Sequence, residues 1–233
     1  MEQYYNDFGT WIRKQLPFRV QKISIDAGFT CPNRDGKIGV GGCIFCDNKS
    51  FNPSYCSHRK SITEQLEDGK HFFAKKYPDM KYLAYFQAYT NTYDKVDKLK
   101  LLYEEALQVK DVVGIVIGTR PDCVSNELLD YLEELNKETF LIVEYGIESC
   151  NDETLHYINR GHNFACTRKA IEKTAERNIY VGGHVIMGLP GEDASESLRQ
   201  APIISSLPLT MLKIHQMQII KGTRDRKSTR LNS

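Results

Sequence analysis

VVGIVIG, residues 112–118, carries no charged or polar side chain and shows no alternation. A strand with one wet face alternates apolar and polar residues. A short unbroken apolar run suits a strand covered on both faces, as in a parallel sheet flanked by helices. The neighbouring segments repeat the theme. Residues 19–26 (RVQKISID), 81–87 (KYLAYFQ), 139–146 (TFLIVEYG), 180–188 (YVGGHVIMG) and 211–220 (MLKIHQMQII) read as five further strands. Between them lie amphipathic stretches. Residues 62–77 place Ile62, Leu66 and Phe73 on a helical period, and residues 95–108 turn Val96, Leu99, Leu102 and Leu107 inward. Residues 125–136 form a helix with Ser125 as N-cap, and residues 150–160, 164–178 and 195–206 complete the set. A helix-like stretch precedes the first strand. Strand–helix alternation predicts an α/β fold with a parallel sheet, either a closed or partly closed barrel or an open doubly wound sheet. In each of these, ligands gather at the C-terminal strand ends. The polar and glycine-bearing segments fall there: DAGFTCPN, QAYTNT, GTRPD, YGIES and GLPGE.

The composition, 41% hydrophobic and 26% charged over 233 residues, is that of an ordinary globular chain. No apolar run is long enough to span a bilayer, and MEQYYNDFGTW lacks the regions of a signal peptide. The expectation is a cytoplasmic protein with no membrane partner. In a reducing compartment seven cysteines are no disulfide framework. The last nine residues, DRKSTRLNS, resemble the translation of a sequencing-adapter oligonucleotide. Residues 224–233 are therefore expected to be a non-native tail, and residues 1–223 a core truncated after its sixth strand. Setting aside that tail removes four basic residues and one acidic one and takes the net charge from +1 to −2. No global positive charge then argues for nucleic-acid binding.

CPNRDGKIGVGGCIFC, residues 31–46, leaves the first strand and holds Cys31, Cys43 and Cys46. Three thiols in one loop suit zinc, with Cys56 as a fourth ligand. They also suit an iron–sulfur cluster, or simple burial as small apolar residues. Gly39, Gly41 and Gly42 allow close backbone approach.

The loop resembles the cluster loop of radical S-adenosylmethionine (SAM) enzymes. CIFC matches their cysteine, any residue, aromatic, cysteine pattern, with Phe45 as the aromatic. The longer first spacing resembles the subgroup around the catalytic subunit of Elongator, a tRNA-modifying complex. DAGFTCPNRDG, YFQAYTNTY, IGTRPDC and KIHQMQIIKGT resemble an uncharacterised bacterial family of that subgroup. The resemblance implies a partial (β/α)6 radical SAM barrel. It implies a [4Fe–4S] cluster on Cys31, Cys43 and Cys46, whose open iron takes the amino and carboxylate groups of SAM. Reductive cleavage of SAM then yields a 5′-deoxyadenosyl radical that abstracts hydrogen from a substrate. An electron donor such as flavodoxin or ferredoxin is implied, and by analogy an RNA substrate. Cys56 is then no ligand.

The resemblance also assigns SAM contacts. Gln87 and Thr90, with Ala88 and Tyr89, occupy the place of the family's glycine-rich segment, without its glycines or its glutamate. Gly118 stands where many relatives carry an acid, and Glu144 or Glu148 supplies that acid instead. Glu148 and Arg160 keep the separation of a glutamine and an arginine that meet the ribose and the SAM carboxylate. His184 matches a polar contact on the fifth strand. Gly188, Pro190 and Gly191 match the turn near the adenine, and His215 and Gln216 face the barrel mouth. Two rival readings are a tRNA-modifying enzyme of the same superfamily and a non-catalytic zinc-stabilised binding module using Cys56.

Overall fold

The structure, a computed structural model, describes residues 5–47, 52–74 and 79–225. Six strands form one sheet: β1 (Val20–Ile25), β2 (Lys81–Phe86), β3 (Val112–Thr119), β4 (Phe140–Glu148), β5 (Tyr180–Met187) and β6 (Met211–Gln216). Every neighbouring pair is parallel, and the strand order follows the chain order from β1 to β6. The sheet is curled into a half-barrel, the partial (β/α)6 architecture expected from the sequence. Its helices are α1 (Phe8–Gln15), α2 (Ile62–Ala74), α3 (Val96–Gln108), α4 (Asn126–Glu138), α5 (Asp152–Tyr157), α6 (Phe164–Ala175) and α7 (Ala194–Ser205). Ser125 caps α4 as expected, accepting from Leu128 N at 3.1 Å. Among the described residues no helix is long and apolar enough to cross a membrane.

Side chains alternate faces along a strand, and the two faces here have different partners. Ile23, Ile25, Phe86, Ile115, Ile117, Val143 and Tyr145 point to the helices and join Leu66, Leu99, Leu128, Leu132 and Ile171 in the main core. Leu83, Tyr85, Val116 and Ile142 point inward, where Ile12 of α1, with Trp11 and Leu16, closes the N-terminal end of the barrel. The interior is thus sealed below and polar above.

Two differences from the sequence reading bear on the site. α5 ends at Tyr157 rather than at residue 160, because Asn159 takes a left-handed φ of 58° and Arg160 N bonds back to Leu155 O. β6 stops at Gln216. α2 is described to Ala74, and the rest of its expected span lies outside the described residues. Of the expected non-native tail, residues 226–233 lie outside the described residues as well. Arg224 and Asp225 are described, and their backbone N–H groups donate to Ile44 O at 3.0 and 3.3 Å.

Candidate active site

The loop of residues 31–46 crosses the C-terminal ends of the strands and is tied down by two asparagines. Asn33 Nδ2 donates to Asn159 O at 2.7 Å, and Asn159 Nδ2 donates to Gly42 O at 2.7 Å. Gly42 N bonds Asn33 O and Ile44 N bonds Ile158 O. The early end of α5 therefore has a use: it frees residues 158–160 to hold the cysteine loop.

The loop encloses a cavity of about 490 Å³. Nine of the residues expected at the site line it, Cys31, Cys43, Cys46, Phe45, Gln87, Thr90, Glu148, Arg160 and His184; Tyr89, Gly118, Glu144, His215 and Gln216 line it too, whereas Ala88, Gly188, Pro190 and Gly191 do not. The lining residues come from distant parts of the chain, and the topology brings them to one mouth.

The thiols are the most constrained members. Thr90 Oγ1 donates to Cys31 Sγ at 3.0 Å. Cys43 Sγ receives Asn33 Nδ2 at 3.4 Å and Arg160 Nη1 at 3.6 Å. Burial raises the Cys31 thiol above its ordinary value, against the Thr90 hydrogen bond and the Arg120 charge. Burial and the neighbouring Cys43 and Cys31 push Cys46 up to about 12. Three neighbouring thiols, one buried and two half-buried, form a donor set suited to a soft cation. Among the described residues, no three His, Cys, Asp or Glu side chains converge to chelate a single ion. All three thiols border the cavity. Cys56 does not join them; it is buried in the main core with Tyr55, Ile62 and Leu66. An all-thiolate donor set beside an open cavity fits an iron–sulfur cluster.

Around the thiols, the segment after β2 keeps a left-handed turn, with Tyr89 at φ 63° where the resembled family has glycines. Gln87 Oε1 accepts from Ser24 Oγ at 2.9 Å. A register shift between Gly146 and Glu148 interrupts β4, and Glu148 takes φ 63°, which sets its carboxylate 3.5 Å from Arg160 Nη2. Arg160 Nη2 also donates to Gly146 O at 2.7 Å, while its Nε is buried without a partner. Phe45 borders an apolar patch with Leu155, Ile158, Leu189, Ile186 and Met217.

The lower wall is charged. Glu144 lies beside Gly118 in the β3–β4 register, so a carboxylate does stand next to the position where Gly118 lacks one. Its Oε1 meets Lys22 Nζ at 2.5 Å and its Oε2 meets His184 Nε2 at 2.9 Å. Burial opposes ionisation of Glu144, but the His184 hydrogen bond and the Lys22 charge outweigh it and hold the carboxyl well below its usual range. The His215 ring lies tilted against that of His184, their centroids 5.3 Å apart, and Lys213 lines the same wall. Sequence reasoning did not single out Lys22, Lys213, Asn33 or Arg120. For the interior lysines, every-second-residue spacing from Ser24 and His215 was the available signal.

Comparison with known proteins agrees with this geometry. The family model described as the radical SAM superfamily matches residues 31–199. The uncharacterized protein YtqA of Bacillus subtilis is 38% identical over 222 residues, which is 95% of this chain and 69% of that protein. A tRNA uridine(34) acetyltransferase of Methanocaldococcus jannaschii is 27% identical over 91% of this chain and 46% of its own length. Among solved structures, an archaeal Elp3 from Methanocaldococcus infernus has a similar fold, with a TM-score of 0.66 and 18% identity over 91% of this chain and 49% of that one. With its thiols on a half-barrel mouth and a family match across most of its length, this chain belongs to the radical SAM superfamily of enzymes.

Proposed function

We propose that Cys31, Cys43 and Cys46 hold a [4Fe–4S] cluster and that the adjoining cavity binds SAM. The observation that carries this reading is the convergence of the three cysteines with Phe45, Gln87, Thr90, Glu148, Arg160 and His184 on one cavity. When bound, these cofactors supply the chemistry: one electron from a flavodoxin- or ferredoxin-like donor cleaves the SAM carbon–sulfur bond to a 5′-deoxyadenosyl radical that abstracts hydrogen from substrate. The protein binds, orients and insulates. Arg160 offers a planar fork to a carboxylate, with a spare Nε–H. Glu148 and Gln87 offer acceptors for hydroxyl or ammonium groups. His184, fixed by Glu144, presents a ring of set orientation. Phe45 and its apolar neighbours give a flat ring a dry wall. Seven free cysteines suit the reducing cytoplasm.

The test is anaerobic reconstitution with iron and sulfide, then electron paramagnetic resonance of the reduced protein. A cluster signal that changes on adding SAM is expected, and Cys56→Ala should keep it. One tightly held zinc, lost with Cys56, would overturn the reading in favour of a structural module.

Similarity over 91% of the chain to a protein named tRNA uridine(34) acetyltransferase favours tRNA as the substrate. Mass spectrometry of tRNA nucleosides from cells with and without the gene tests this. An unchanged nucleoside profile would remove it.

A further inference from the structure

Arg120 follows β3 in the GTRPD segment, at the C-terminal ends of the strands. It is 2% exposed and lines the cavity beside Cys31. Its Nε and Nη2 form a fork on Asp122 Oδ1 and Oδ2, at 2.9 and 2.8 Å. Nη2 also donates to Arg160 O at 2.6 Å. The remaining nitrogen, Nη1, is buried and has no hydrogen-bond partner. Arg160 shows the same pattern, with a buried and unpartnered Nε. Two buried guanidinium groups, each with an unused donor, therefore adjoin one set of thiols. Arg160 already has Cys43 Sγ and the Gly146 carbonyl as partners. Arg120 has its fork satisfied by Asp122 and keeps its Nη1 unpaired in the cavity wall it shares with Cys31.

The potential of an iron–sulfur cluster depends on nearby charge, on hydrogen bonds to its sulfurs and on solvent exposure. Reduction adds one electron from an external low-potential donor, and no bond in the protein forms or breaks. A buried cation with a spare donor stabilises the added negative charge, because guanidinium cannot give up its proton. We propose that Arg120 sets the reduction potential of the cluster held by Cys31, Cys43 and Cys46, raising it so that a cellular donor can fill it. This rests on the proposed function, since it needs the cluster. It concerns a residue to which that function gives no role.

The experiment is an anaerobic redox titration of the reconstituted protein, followed by the cluster's paramagnetic signal, with iron and sulfide measured per chain. Arg120→Gln keeps hydrogen-bonding capacity and removes the charge; its midpoint should move to a more negative value. Arg120→Lys keeps the charge without the fork and should lie between Arg120→Gln and the parent. Asp122→Asn removes the opposing charge and should move the midpoint upward. A fully loaded Arg120→Gln protein with the parent's midpoint would overturn the proposal. If Arg120→Gln does not fold or load, Asp122→Asn decides: a higher midpoint supports the role, and an unchanged or lower one refutes it. If the unsubstituted chain takes up no iron, the proposed function fails first and this role with it, and metal analysis shows that before any variant is made.

Discussion

Lys22 on β1 and Glu144 on β4 meet across the inside of the barrel, Nζ to Oε1 at 2.5 Å, although β2 and β3 stand between them in the sheet. Only a strongly curled sheet brings those strands within reach of one ion pair. Glu144 fits because its neighbours on both sides are glycines: Gly118 on β3 and Gly182 on β5 share its level. A Cβ on Gly182 would stand 2.8 Å from Glu144 Cγ. The sequence thus clears space for one buried carboxylate and surrounds it with Lys22 and His184.

Glu144→Gln should destabilise the protein by about 3 kcal/mol at neutral pH, because it leaves Lys22 with a buried neutral partner. Urea unfolding checks the size. The sign of the pH dependence follows from the depressed carboxyl. Its contribution is complete above the unfolded value of about 4.3 and is lost as pH falls below it. The gap between parent and variant should therefore shrink in acid. A gap that stays constant down to pH 3 would contradict the network.

His215 supplies a second pH signature at milder acidity. Burial, the adjacent His184 and Lys213 push it down to about 4, against the pull of Glu144. The unfolded chain takes up this proton near pH 6.5, before the folded chain does. Stability should therefore decline as pH falls from about 6.5 towards 4. His215→Gln should flatten that decline but not abolish it, since burial and Arg160 also hold His162 down to about 4. Unfolding free energies at half-unit pH steps make the comparison.

The strands were legible because burial on both faces writes itself as unbroken apolar runs, and VVGIVIG needs no tertiary information to be read. The cysteines were legible because thiol chemistry is rare and local. Arg120 was not: what buries its guanidinium is Asp122 together with the carbonyl of Arg160, 40 residues away. The end of α5 was misplaced for a related reason. Asn159 leaves the helix to bind Gly42 O, 117 residues earlier, and no helical periodicity records that.

Gly69 looks like a weak point in α2, yet it is where the helix touches the sheet. A Cβ there would lie 2.3 Å from Ile23 Cγ2 and 3.2 Å from Tyr55 Cε2, both in the packed core. Gly69→Ala gains about 1 kcal/mol in helix propensity but overpacks the contact, which costs roughly 1–3 kcal/mol. Net destabilisation in urea is expected. Combining it with Ile23→Ala, which deletes the clashing methyl, should cost less than the two single changes added together. Simple additivity would mean that the helix shifts freely and the contact is not tight.

Gln65 is fully buried on α2 and acts as a clasp for the chain entering and leaving the cysteine region. Its Oε1 accepts from Asp26 N at 2.9 Å and Ser57 N at 3.2 Å, and its Nε2 donates to Asp26 O at 3.0 Å and Lys60 O at 3.1 Å. Gln65→Leu strands two donors and two acceptors, each worth about 1 kcal/mol or more when buried unpaired. A loss of roughly 3–5 kcal/mol is expected, with faster hydrogen exchange at the Asp26 and Ser57 amides. Gln65→Glu separates donor from acceptor. An ionised carboxylate still accepts from the two N–H groups but faces two carbonyl oxygens with nothing to donate. Its folded pKa should lie above the ordinary carboxyl value, so the variant recovers stability as pH falls and the proton needed for donation returns. Stability of Gln65→Glu relative to the parent, measured from pH 8 down to pH 5, should rise. A flat or falling ratio would show that the amide's donor side carries no weight in holding the two ends together.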